Sequence, residues 1–138
     1  SIFLGSPPMR CMAERIAASI DPQEFDVKGM YVFGSTKNAT ANPCSDIDIL
    51  VHIGNEYEKH DKLKYWLDGW SRCLSEMNYL RTGYETQELL DVQYVTDEDI
   101  HLKNGFAAKI GAVSDAAREL KMGITMIKRD DKDMVTCK

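Results

Sequence analysis

Asp46 and Asp48 stand two residues apart in the run Ser45-Asp46-Ile47-Asp48-Ile49-Leu50-Val51, alternating with Ile47 and Ile49. In a strand that spacing puts both carboxylates on one face, where one or two hard cations can bridge them. A third acid, Asp91, lies inside a second apolar run, Leu89-Leu90-Asp91-Val92, where an unpaired carboxylate would be costly to bury. If the two runs are neighbouring strands, cross-strand contact completes a three-carboxylate site. Upstream, Gly34-Ser35 follows the buried-strand pattern Met30-Tyr31-Val32-Phe33. A glycine-serine turn lets the backbone approach a ligand closely, and a helix after it would aim free N–H groups at an anion such as a phosphate. Divalent ions held by shared carboxylates can clamp a nucleoside triphosphate, lower the pKa of an attacking hydroxyl and neutralise a leaving pyrophosphate. Without metal, like charges at this range oppose one another, so the apo chain should lose stability at high pH and regain it with Mg²⁺ or Mn²⁺. Alone, a Gly-Ser turn is an ordinary strand end and Asp-x-Asp an ordinary polar face; the joint pattern is what points to a site.

These residues need strands and helices to position them. Met9, Met12, Ile16 and Ile20 recur at helical spacing after Pro7-Pro8, which predicts a helix over about 8–20, stopped at Asp21-Pro22. Val27 to Phe33 and Asp46 to Ile53 read as strands, the second with Ile47, Ile49, Val51 and Ile53 on one face and Asp46, Asp48, Leu50 and His52 on the other. Between Glu56 and Leu80, Leu63, Trp66, Leu67, Trp70, Leu74 and Met77 are spaced as the core face of one long amphipathic helix. Glu88 to Val95 reads as a third strand. Thr96 before Asp97-Glu98-Asp99 is a helix N-cap with acids in the first turn, and Phe106, Ile110, Val113, Ala117 and Leu120 extend the helical pattern to Gly123. Ile124 to Ile127 could add a short edge strand before a charged tail. The expected fold is α/β (α+β): a mixed β-sheet with flanking helices, one domain over 1–123 and a tail over 124–138.

Composition narrows the function. The chain has 138 residues, 43% hydrophobic and 28% charged, enough for a single core without disulfide or structural metal. Its net charge of −5 and the lack of interleaved basic and aromatic residues argue against a nucleic-acid partner or a polymerase. No apolar run is long enough to span a membrane. Cys11, Cys44, Cys73 and Cys137 show neither metal-ligand nor disulfide-framework spacing, which suits a reducing, cytoplasmic setting. His52, His60 and His101 lack ligand spacing and read as surface or core residues, and Trp66, Trp70 and the methionines as helix core. Lys37 is read either as a solvated lysine or as a phosphate contact. Residue 1 is Ser, consistent with a processed protein or a piece of a longer one.

Gly34-Ser35, a spacer, Ser45-Asp46-Ile47-Asp48 and a later lone Asp91 together resemble the signature of the DNA polymerase β-type nucleotidyltransferase superfamily, and Pro43 and the element order resemble its minimal bacterial branch. The resemblance implies a palm-like fold in which Asp46, Asp48 and Asp91 bind Mg²⁺ or Mn²⁺, Asp91 is also the general base, and Gly34 and Ser35 hold the triphosphate, with Lys37 a candidate for the same role. It implies transfer of a nucleoside monophosphate, with ATP the expected donor, to a hydroxyl of a protein or small molecule. Larger relatives carry a helical acceptor-binding domain for which this chain has little sequence, so a helical partner, a dimer or a parent chain would supply it. The sequence departs from the branch at Thr36 and Ala39, where Arg and Gly are usual. That departure favours the alternative, a weakly active or inactive nucleotide-binding regulatory module. The stretch Ala107 to Arg118 also bears a faint resemblance to modules appended to pyruvate phosphate dikinase-like proteins, consistent with such a role.

Overall fold

In a computed structural model of the chain, the described residues are 9–33, 47–85, 89–112 and 116–124. Helix α1 (Met9–Ser19) and the single turn α2 (Pro22–Phe25) precede strand β1 (Val27–Val32). Strand β2 (Ile47–Ile53), the long helix α3 (Tyr57–Thr82) and strand β3 (Leu90–Val95) follow. The chain continues through α4 (Asp97–Leu102), a 3₁₀ turn over Gly105–Lys109 and strand β4 (Arg118–Leu120). The sheet has the order β3-β2-β1-β4, with β1 antiparallel to β2 and β4 and β2 parallel to β3. It is the expected mixed sheet with flanking helices. The parallel pair requires a crossover, and α3 provides it.

The two faces of the sheet divide as the alternation in β2 dictates. Ile47, Ile49 and Val51 point into the main core with Met30 and Val32 from β1, Ala13, Ile16 and Ala17 from α1, and Leu63, Leu67 and Leu74 from α3. Each fully buried branched side chain there contributes about 1.5–3 kcal/mol relative to exposure. Leu50 points the other way, into a smaller cluster with Phe33, Val95 and Ala107, flanked by Tyr31, Ile100, Ile110 and Ala117.

Local chemistry sets the element ends. Asp21 caps α2 by accepting from the Gln23 and Glu24 N–H groups. Gly83, at φ 79°, ends α3 with its N–H donating to the Tyr79 carbonyl. Thr96 and Asp99 form a reciprocal capping box on α4, as the sequence predicts.

The expected continuous helix from Thr96 to Gly123 is not what forms. Lys103 at φ 56° and Gly105 at φ 51° break it after Leu102, and Gly111 at φ 73° turns the chain again. Asn104-Gly105 carried that turn signal, and apolar spacing masked it. The edge strand is therefore Arg118–Leu120, paired to Met30–Val32, in place of a helix end. Met77 corrects the reading of the methionines as core: it is 38% exposed, and Leu63, Leu67 and Leu74 carry the buried face of α3. Residues 125–127 of the expected short edge strand and the charged tail lie outside the described residues.

Candidate functional site

The parallel pairing of β2 and β3 sets Asp48 directly opposite Asp91. Neighbouring strands run about 4.8 Å apart, and in-register residues of a parallel pair share a face. That face also carries Leu50, His52, Gln93 and Val95, opposite the helix-packed face of Ile47, Ile49 and Val51. Asp48 is half-buried and Asp91 exposed, so the pair sits where the small apolar cluster gives way to solvent. The Gln93 amide donates to Asp91 Oδ1 at 3.1 Å, from the next position on the same face. Gln93 is a residue that the sequence reading missed; its place two residues after Asp91 was the available signal.

Three strand ends meet at this point. The Phe33 N–H donates to the Asp48 carbonyl at 3.2 Å and the Ile47 N–H to the Leu89 carbonyl at 2.6 Å. The ring of Phe33 lies 5.1 Å from that of Phe106, which the 3₁₀ turn brings over the open face. The end of β1, after which Gly34 follows, is thereby held beside Asp48. Gly34, Ser35, Lys37, Cys44 and Asp46 themselves lie outside the described residues.

The donor set fits a hard divalent ion. Asp48 and Asp91 offer carboxylate oxygens in register, the chemistry that Mg²⁺ and Mn²⁺ take, with neither thiolate nor imidazole opposite them in the β2–β3 pairing. Among the described residues no group of three or more His, Cys, Asp or Glu forms a metal cluster. Asp48 and Asp91 are thus the described part of the expected three-carboxylate set.

At the opposite end of the same face the charges are balanced. Asp97 Oδ1 lies 2.6 Å from His52 Nε2, and Asp97 Oδ2 accepts from Lys28 Nζ at 2.6 Å. The bonds from Lys28 and then His52 hold the Asp97 carboxyl below the usual carboxylate range. His52 thus ties β2 to the start of α4. His60 is buried on α3 with Nε2 3.8 Å from Asp26 Oδ2, and His101 is exposed. One hollow of about 240 Å³ lies on the β4 side, lined by Glu14, Arg118, Glu119, Leu120 and Lys121, two strands away from Asp48. No helix among the described residues is long and apolar enough to cross a membrane.

Residues 13–116 match the model of the family described as nucleotidyltransferase domain. A solved structure from Sulfolobus solfataricus with a provisional nucleotidyltransferase assignment aligns at 16% identity over 68% of this chain and 72% of that one, with a TM-score of 0.37. No curated protein matches the chain.

Proposed function

The chain belongs to the nucleotidyltransferase domain family of the polymerase β-type superfamily, and on that premise we propose that it transfers a nucleoside monophosphate from a metal-bound nucleoside triphosphate, ATP by preference, to a hydroxyl of a protein or small molecule. The observation that carries this reading is the register of Asp48 opposite Asp91 at the end of β1 that Gly34-Ser35 follows. Asp48 and Asp91, with Asp46, would hold Mg²⁺ or Mn²⁺, which when bound neutralises phosphate charge and lowers the pKa of the attacking hydroxyl. Gly34 and Ser35 would take the triphosphate against their backbone and hydroxyl groups, with Lys37 as a cationic contact. Asp91, the exposed acid of the pair, accepts the acceptor's proton as its oxygen attacks the α-phosphorus and the bond to pyrophosphate breaks. Gln93 limits the Asp91 carboxylate to one orientation by holding Oδ1.

The test is incubation of the full chain with ATP, Mg²⁺ and candidate acceptors, read by mass spectrometry. The expected result is a product heavier by one nucleoside monophosphate, together with released pyrophosphate, both absent with Asp48→Asn. Metal-dependent ATP binding without any product would favour the second reading, a nucleotide-binding module of a larger phosphotransfer protein, which Thr36 and Ala39 at the family's usual Arg and Gly positions support.

A further inference from the structure

One row across the open face of the sheet carries both acids and aromatic rings. Val32 pairs with Ile49, so the next residues along, Phe33 and Asp48, stand opposite each other, the Phe33 N–H donating to the Asp48 carbonyl at 3.2 Å. Asp48 in turn stands opposite Asp91. Residues directly opposite on neighbouring strands share a face, so a phenyl ring and two carboxylates follow one another across β1, β2 and β3. Phe33 is buried beneath Phe106, whose ring lies 5.1 Å away at an interplanar angle of 40°.

Exposure sets Phe106 apart from its neighbours. Ala107, the next residue, is buried and closes the small cluster with Phe33, Leu50 and Val95, and Ile110 packs against it. Phe106 is 42% exposed. The turn that presents it is held by its own backbone. Lys103 and Gly105 are left-handed, the Asn104 N–H donates to the Asp99 carbonyl, and the Ala107 and Ile110 N–H groups donate to the Asn104 and Ala107 carbonyls. Ala107 thus anchors the turn, and Phe106 is a ring fixed in advance at the solvent side of Phe33, which lowers the entropy cost of stacking a ligand on it. Acids suited to a divalent ion and an exposed flat ring in one row match the two ends of a nucleotide, a phosphate chain that carries the ion and an aromatic base. Given the metal-nucleotide site proposed above, we propose that Phe106 is the platform on which the base of the nucleoside triphosphate stacks, with Phe33 behind it and the phosphates toward Asp48 and Asp91.

The experiment is titration calorimetry of the full chain with ATP and with inorganic tripolyphosphate, which has the phosphates and no base, each with Mg²⁺. Wild type is compared with Phe106→Leu and Phe106→Trp, with thermal unfolding as a fold check. Leucine keeps an apolar cover on Phe33 and has no ring, so a role in packing alone would survive it. Phe106→Leu weakens ATP binding about tenfold and leaves tripolyphosphate binding as in the wild type. Phe106→Trp retains ATP binding, and its added fluorescence is quenched by ATP and not by tripolyphosphate. ATP binding untouched by Phe106→Leu, an equal loss of ATP and tripolyphosphate, or a Phe106→Trp signal indifferent to saturating ATP overturns the platform while the nucleotide site stands. Failure of the wild type to bind either compound overturns the nucleotide site itself, and the platform with it.

Discussion

The open face of the sheet holds two charged groups, one at each end of the same pair of strands. At the far end a single carboxylate, Asp97, lies between two basic groups, Lys28 and His52. At the near end two carboxylate residues, Asp48 and Asp91, stand in register, and the described neighbour of Asp91 is the neutral amide of Gln93. The first arrangement closes on itself and fastens α4 to the sheet. The second sets two acids side by side across the β2–β3 pair, where a bound cation would bridge them. On the proposed function the acids in register serve a ligand, whereas the acid between two bases serves as a joint.

The sharpest break of that contrast is Asp48→Asn. Transfer activity should fall by roughly a thousandfold or more, since about 4 kcal/mol of charge stabilisation is removed. A variant with normal turnover would place the chemistry elsewhere. Ile49→Ala, the next residue but on the core face, should do the reverse. It is fully buried, and its truncation should cost about 2–5 kcal/mol in denaturant unfolding while metal affinity of the folded fraction is kept.

Mg²⁺ itself should separate the two ends. At about a hundred times its dissociation constant it should stabilise the wild type by roughly 2.7 kcal/mol, seen as a raised melting temperature that EDTA reverses. Asp97→Asn should leave that metal response intact, and Asp91→Asn should remove most of it. A melting temperature indifferent to divalent ions would count against the carboxylate site.

The smallest effect belongs to the joint. Asp97 has its folded pKa depressed by Lys28 and His52, so its contribution to stability is complete above the unfolded carboxylate value and is lost as pH falls through the folded one. Below about pH 4 the wild type should therefore lose stability more steeply than Asp97→Asn. Equal acid limbs in the two proteins would show that the contact adds nothing. On the core face the sign is opposite: burial pushes the Tyr94 hydroxyl up to about 12, so its contribution is complete below its ordinary value near 10 and is lost as pH rises toward 12.

Sequence reading reached most of this architecture because every second residue of β2 is Ile or Val and β3 is a short, largely apolar run broken by Asp91. Those two patterns determine which side chains share a face, and pairing the strands does the rest. The region after Thr96 was misread for a definite reason. Phe106, Ile110 and Ala117 recur at near-helical intervals, but they pack against Leu50 and Phe33 from a 3₁₀ turn and a loop, and the left-handed residues Lys103, Gly105 and Gly111 decide the path. The Lys28–Asp97–His52 joint was equally out of reach, since Lys28 and Asp97 are 69 residues apart and only the folded sheet brings them together. Gly34, Ser35, Lys37 and Asp46 remain expectations from sequence, outside the described residues.

The most direct test of the cation site is calorimetric titration of ATP into the wild type and Asp48→Asn, each with and without Mg²⁺. Asp48 and Asp91 in register predict binding by the wild type that requires Mg²⁺ and disappears with the substitution. ATP, GTP, CTP and UTP all failing to bind with either Mg²⁺ or Mn²⁺, or ATP binding equally well to both proteins without metal, would contradict it.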